Sequence, residues 1–128
     1  MDSSALLAVV LGEPDAYRFA LAMTNAPIVR MSAANWLEAA MRVDGQRPEA
    51  AREFDEIVAH IGIEIVPVSP AMAVAARDAN QHFGRRSGSK AKLNFGDCFA
   101  YALSHVTGEP LLFKGDDFPH TDIVPAMA

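Results

Sequence analysis

Ile28-Val29-Arg30-Met31-Ser32-Ala33-Ala34-Asn35-Trp36-Leu37-Glu38 decides the fold class, because a short β-prone run passes directly into a helical one. Ile28–Met31 is apolar, rich in branched side chains and brief, as a buried strand is. Ser32 is a good helix N-cap and predicts a helix from Ala33 to about Val43. The same change recurs downstream, where Ile63–Val68 reads as a strand and Ser69-Pro70 opens a helix from Ala71 to about Phe83. Leu111–Phe113 reads as another strand and Thr121–Val124 as a final edge strand. Helices are also predicted over Ala5–Leu11, from Pro14 to about Asn25, over Glu49–Ile61, and from about Asp97 to Thr107. Strands alternating with helices make an α/β domain with a mostly parallel sheet and right-handed crossovers. In such sheets ligands bind outside the carboxyl ends of the strands. A strand is wanted just before Asp2, where only Met1 stands, so the first strand reads as a truncated stub or as one that begins upstream.

The bulk numbers fit one domain over residues 1–128: the hydrophobic share is 51% and the charged share 21%. No apolar run approaches the roughly 18–20 residues that span a bilayer. Met1-Asp2-Ser3-Ser4 lacks a basic leader, so a soluble, cytoplasmic protein is expected. The single Cys98 and four scattered histidines do not suggest a structural zinc. The net charge of −5 argues against general nucleic-acid binding, so any such role needs local cations.

Four acidic positions fall where elements begin or end near the expected crevice: Asp2, Glu38, Asp97, and the pair Asp116-Asp117. Gathered carboxylates repel one another and resist desolvation unless a cation joins them. Mg²⁺ and Mn²⁺ suit carboxylate and water oxygens, and such ions activate water against phosphodiesters. Each acid also has an ordinary reading: Asp97 as a favourable charge at a helix N-terminus, the pair as a solvated loop. Ser4 is either an N-cap or a donor to a metal-bound water or phosphate, and Asn94 reads mainly as a cap. Cys98 lacks an adjacent base and reads as a small core residue. Arg85, Arg86, Lys90 and Lys92 place four of the eleven basic residues in one loop that leads into Asp97. With Gly84, Ser87, Gly88 and Ser89 it reads as a mobile basic flap for an RNA backbone, and Lys114 as one more phosphate contact.

Asp2-Ser3-Ser4-Ala5-Leu6-Leu7 resembles the opening block of PIN domains, and Ser32–Glu38 resembles their second block. Leu93-Asn94-Phe95-Gly96-Asp97-Cys98-Phe99-Ala100-Tyr101-Ala102 resembles a block of the VapC-type toxins within that family. Pro110–Phe118 with Thr121-Asp122 resembles their closing block. The resemblance implies a three-layer α/β/α sandwich around a four- to five-stranded sheet, its first strand truncated here. It implies a Mg²⁺- or Mn²⁺-dependent endoribonuclease, held in check by a VapB-type antitoxin and commonly homodimeric. Metal-ligand and catalytic roles carry over to Asp2, Glu38 and Asp97, and to Asp117 with Asp116 as the substitute, because Gly115 stands where many relatives have an acid. Leu7, Val10, Leu11, Tyr17 and Phe19 exceed what one small core needs and suggest a partner surface. The alternative is a non-catalytic module that acts through its antitoxin. A phospho-acceptor receiver domain is disfavoured, since Val66-Pro67-Val68-Ser69 offers no acid.

Overall fold

In the computed structural model, which describes residues 1–127, the chain forms helices α1 (Ser3–Val10), α2 (Ala16–Asn25), α3 (Ala33–Asp44), α4 (Ala50–Ile61), α5 (Pro70–Phe83) and α6 (Phe95–Thr107). Strand β1 (Arg30–Ser32) precedes α3, β2 (Glu64–Val66) precedes α5, and a short 3-10 turn covers Phe118–His120. β1 and β2 run parallel, with Arg30 opposite Glu64 and Met31 opposite Ile65. The first of these strands starts two residues later than the sequence suggests. Ile28, next to Pro27, is 40% exposed, and the strand instead runs into Ser32, which also caps α3 through a hydrogen bond from the Ala34 amide.

The remaining β segments are too short for a regular ladder, yet main-chain bonds set them beside one another. The Met1 amine donates to Arg30 O at 2.8 Å, and the Asp2 amide donates to Leu112 O at 2.9 Å. Leu111 and Pro125 form a parallel bridge, with Leu111 N bonded to Val124 O and Ala126 N to Leu111 O. The order across the sheet is therefore 64–66, 30–32, 1–2, 111–112, 124–126. Met1-Asp2 stands at the place of the first strand, held on both sides. The expected strands at 111–113 and 121–124 shrink to this one bridge, because Pro125 has no amide proton to continue a ladder.

Alternate residues on one extended segment face opposite layers. Leu112 packs with Leu6, Met31, Ala39, Val43 and Phe54, whereas Leu111 packs with Ala79, Leu93, Cys98 and Tyr101. Helices α1–α4 thus cover one face of the sheet, and α5 and α6 cover the other. Leu7, Val10 and Phe19 belong to the first cluster and Leu11 packs against it, so the apolar surplus expected there is core. Tyr17 alone of that set stands out, 76% exposed.

The basic segment 84–92 is not a loose flap. Ser87 Oγ donates to Gly84 O at 2.7 Å and accepts from the Ser89 amide, Ser89 Oγ accepts from the Ala91 amide, and Leu93 N bonds Phe83 O. Ala91 is fully buried and pins the middle of the run. The serines that suggested mobility are spent on turns. No helix of the described residues is long and apolar enough to cross a membrane.

Leu6 is fully buried between α1 and the sheet. Leu6→Ala is predicted to cost about 2–5 kcal/mol of unfolding free energy, read from the urea midpoint; a cost near zero would contradict this core assignment.

Candidate metal and nuclease site

Three elements bring their acids to one cavity of about 390 Å³, lined by Asp2, Ser3, Ser4, Glu38, Arg42, Asn94, Asp97 and Lys114 among others. Asp2 closes the stub strand and caps α1. Its Oδ2 accepts from the Ser4 amide at 3.1 Å and from Ser4 Oγ at 2.6 Å. Asp2 is 3% exposed, and its other oxygen, Oδ1, has no hydrogen-bond partner. Burial pushes its carboxyl above the usual range, the Ser4 bonds pull it back, and the Glu38 charge pushes it further up.

Glu38 sits one turn into α3, on the rim and exposed, rather than sunk among the apolar neighbours that flank it in sequence. Its Oε1 accepts from Ser3 Oγ at 2.5 Å and from Asn35 Nδ2 at 3.4 Å. Asn35 also donates to Gly96 O at 2.9 Å, tying α3 to the start of α6. Gly96 leaves room for this approach: a β-carbon there would overlap the Glu38 carboxylate and displace it from where Ser3 and Asn35 hold it.

Asp97 lies in the first turn of α6. Its Oδ2 accepts from the Asn94 amide at 3.0 Å while Asn94 Oδ1 accepts from the Asp97 amide at 2.8 Å, a reciprocal capping box. Capping accounts for one oxygen and leaves the other without a donor among the described residues, on the cavity that Asp2 and Glu38 also line. Its pKa rises to about 6, through burial first and then the charges of Asp2, Asp117 and Glu38, against the Asn94 bond. The Asp117 charge thus reaches Asp97, although neither Asp117 nor Asp116 lines the cavity.

Asp2, Glu38 and Asp97 thus share one design. One oxygen of each is gripped by a serine hydroxyl or a main-chain amide, and the other is left without a protein donor. An orphaned, buried Asp2 oxygen beside like charges fits a hard divalent cation, as does this all-oxygen donor set. Among the described residues no three such side chains already close into a cage. Mg²⁺, which keeps several waters of its own, does not require one.

The other candidates separate. Ser4 both caps and lines the cavity. Its Oγ also accepts from the Lys114 amide at 2.9 Å. The Lys114 ammonium pairs with Glu13 and, at 2.9 Å, with Asp15, so it is engaged within the protein. Arg85, Arg86, Lys90 and Lys92 are exposed and form no ion pair among the described residues, but none of them lines the cavity. Cys98 is buried and its thiol is pushed up by burial and by Asp97, unlike an activated nucleophile. Sequence reasoning missed Ser3, Asn35, Gly96 and Arg42. Asn35 and Arg42 carried a signal, lying three residues before and four after Glu38 on one helix.

A PIN-domain family model matches residues 1–124. The chain belongs to the PIN-domain family. Its relatives are of the VapC type: ribonuclease VapC42 of Mycobacterium tuberculosis is 46% identical over 127 residues, covering 98% of this chain and 97% of that protein. Ribonuclease VapC28 of the same organism is 44% identical over 128 residues, covering 99% and 96%. The crystal structure of Mycobacterium tuberculosis VapC20, described as a sarcin–ricin loop cleaving toxin, superposes with a TM-score of 0.72 over 96% of this chain and 94% of that one. At 18% identity that likeness speaks for the PIN fold.

The crowding of acids in this PIN domain has a thermodynamic signature. A carboxyl with a folded-state value of about 6 and an ordinary value of 3.8 binds more protons folded than unfolded between the two. Stability of the metal-free chain is therefore predicted to fall as pH climbs from about 4 to about 6 and to stay low above that. Urea midpoints in chelator check this. Asp97→Asn should flatten the fall; an undiminished fall in the variant would place its cause elsewhere.

Proposed function

We propose that this PIN domain is a Mg²⁺- or Mn²⁺-dependent endoribonuclease, the toxin of a type II toxin–antitoxin pair. The observation that carries the reading is the convergence of Asp2, Glu38 and Asp97 on one cavity, each with one oxygen held and one left over. The named ribonuclease activity of 44–46% identical relatives that match nearly end to end supports it.

Asp2, Glu38, Asp97 and Asp117 would hold the cation, which when bound supplies Lewis acidity and a water of lowered pKa. The chain's own residues do the rest. Ser4 fixes the Asp2 carboxylate, Ser3 and Asn35 fix Glu38, and the Asn94 amide fixes Asp97, so the free oxygens are oriented before any ligand arrives. Asp97, with its pKa near 6, is mostly ionised at neutral pH and would hold the cation as a carboxylate. The phosphodiester would be opened by in-line attack of water, leaving a 5′-phosphate and a 3′-hydroxyl. The basic segment that carries Arg85, Arg86, Lys90 and Lys92 would hold RNA backbone outside the cavity. Its turns make it a fixed cationic ridge.

The partners follow from the same surface. A VapB-type antitoxin would block the site by placing an arginine among the acids, a pairing to which the planar guanidinium is suited. Homodimerisation would cover part of the exposed apolar surface, where Phe95 is 81% exposed and Met41 66%.

Asp97→Asn keeps the size and the capping acceptor but removes the charge. It is predicted to lower the cleavage rate of structured RNA in Mn²⁺ by at least about a hundredfold, since a ligand is lost rather than its support. Cleavage as fast as that of the parent would refute the assignment.

A further inference from the structure

Two cationic side chains line the acid cavity, Lys114 and Arg42. Lys114 is paired with Glu13 and Asp15. Arg42 makes no ion pair and no hydrogen bond among the described residues, although Asp2, Glu13, Glu38 and Asp97 line the same cavity. Its helical neighbour makes this more pointed. A Glu four residues before an Arg on a helix is the favoured orientation for a surface pair. On α4 the less favoured order still closes, with Arg52 and Glu56 3.7 Å apart. Glu38 and Arg42 do not pair, because Ser3 and Asn35 turn the Glu38 carboxylate toward the start of α6. The guanidinium thus remains on the cavity wall, exposed, with its donors unused.

We propose that Arg42 is a phosphate-binding residue of the substrate site, clasping a non-bridging oxygen of the RNA backbone next to the scissile bond. The inference rests on the nuclease reading and extends it to a residue outside the acidic set. A guanidinium matches phosphate in two parallel hydrogen bonds. An acidic pit that must admit a polyanion needs a cation at its edge, where it draws the backbone in without quenching the acids. Arg42 also lies in the last turn of α3, where a cation favours the helix dipole, so a purely structural role competes.

The test is binding of a fluorescent single-stranded RNA of mixed sequence to the intact chain in Mg²⁺, by anisotropy over a range of KCl, with thermal melting alongside. Removing one phosphate contact shallows the plot of log affinity against log salt by about 0.7. Arg42→Gln should show that change and bind roughly tenfold more weakly at low salt, with an unaltered melting temperature. Arg42→Lys should keep the slope and lose part of the affinity. An unchanged slope in Arg42→Gln, whether or not the melting temperature falls, would overturn the proposal, as would a parent that binds no RNA. A variant that alters antitoxin affinity alone would overturn it too, in favour of a partner contact. The outcome is separable from the nuclease reading: a shallower slope in a chain that cleaves nothing would leave Arg42 as an RNA contact and remove the catalysis.

Discussion

Repulsion among carboxylates that the fold refuses to separate is the constraint around which this domain is built. Asp2 is buried at the end of a two-residue stub, Asp97 is turned inward at the head of α6, and Glu38 is pressed against Gly96. Each is fixed by hydrogen bonds to one oxygen, which raises the cost of relaxing away. Burial and mutual charge lift Asp97 to about 6, the measure of how poorly the folded chain tolerates all of them ionised. A chain under pressure only for stability would replace or scatter such groups.

The fold supplies this arrangement by letting five short chain segments end together. Met1-Asp2 is threaded between β1 and Leu112 by main-chain bonds, so Asp2 emerges at the same end of the sheet as the helix that starts after Ser32. Asn35 crosses from α3 to α6 and fixes the distance between Glu38 and the first turn that holds Asp97. The two apolar clusters on either face hold these ends rigid, and Leu111 and Leu112 join them. Arg30 reinforces the opposite edge of β1 through Glu64, 3.5 Å away, and Glu109.

Much of this was legible in the residues. The helices, the α/β class and three of the acids follow from periodicity, caps and local blocks, because helices are specified by near neighbours. Strand limits were not, since a three-residue strand such as β1 is set by what pairs with it, and Pro125 shortens the far bridge by lacking a proton. Ser3 carried no expectation of its own, yet its hydroxyl reaches Glu38, 35 residues away. No local pattern announces such a contact. Gly96 drew no expectation and proves to be a clearance for a carboxylate. The 84–92 segment was misjudged because serine and glycine serve both flexible linkers and tight turns, and the burial of Ala91 decides between them. The apolar first helices suggested a partner surface, whereas a domain this small uses nearly all of Leu7, Val10 and Phe19 to seal its sheet.

The account is tested most directly by calorimetric titration of the metal-free chain with Mn²⁺, run above and below the Asp97 value of about 6 in buffers of different ionisation heat. Saturable uptake that releases protons is expected, with weaker affinity and greater release at the lower pH. Heats that never saturate, or uptake with no proton release at either pH, would mean that the carboxylates are content without a cation and that their convergence has another cause.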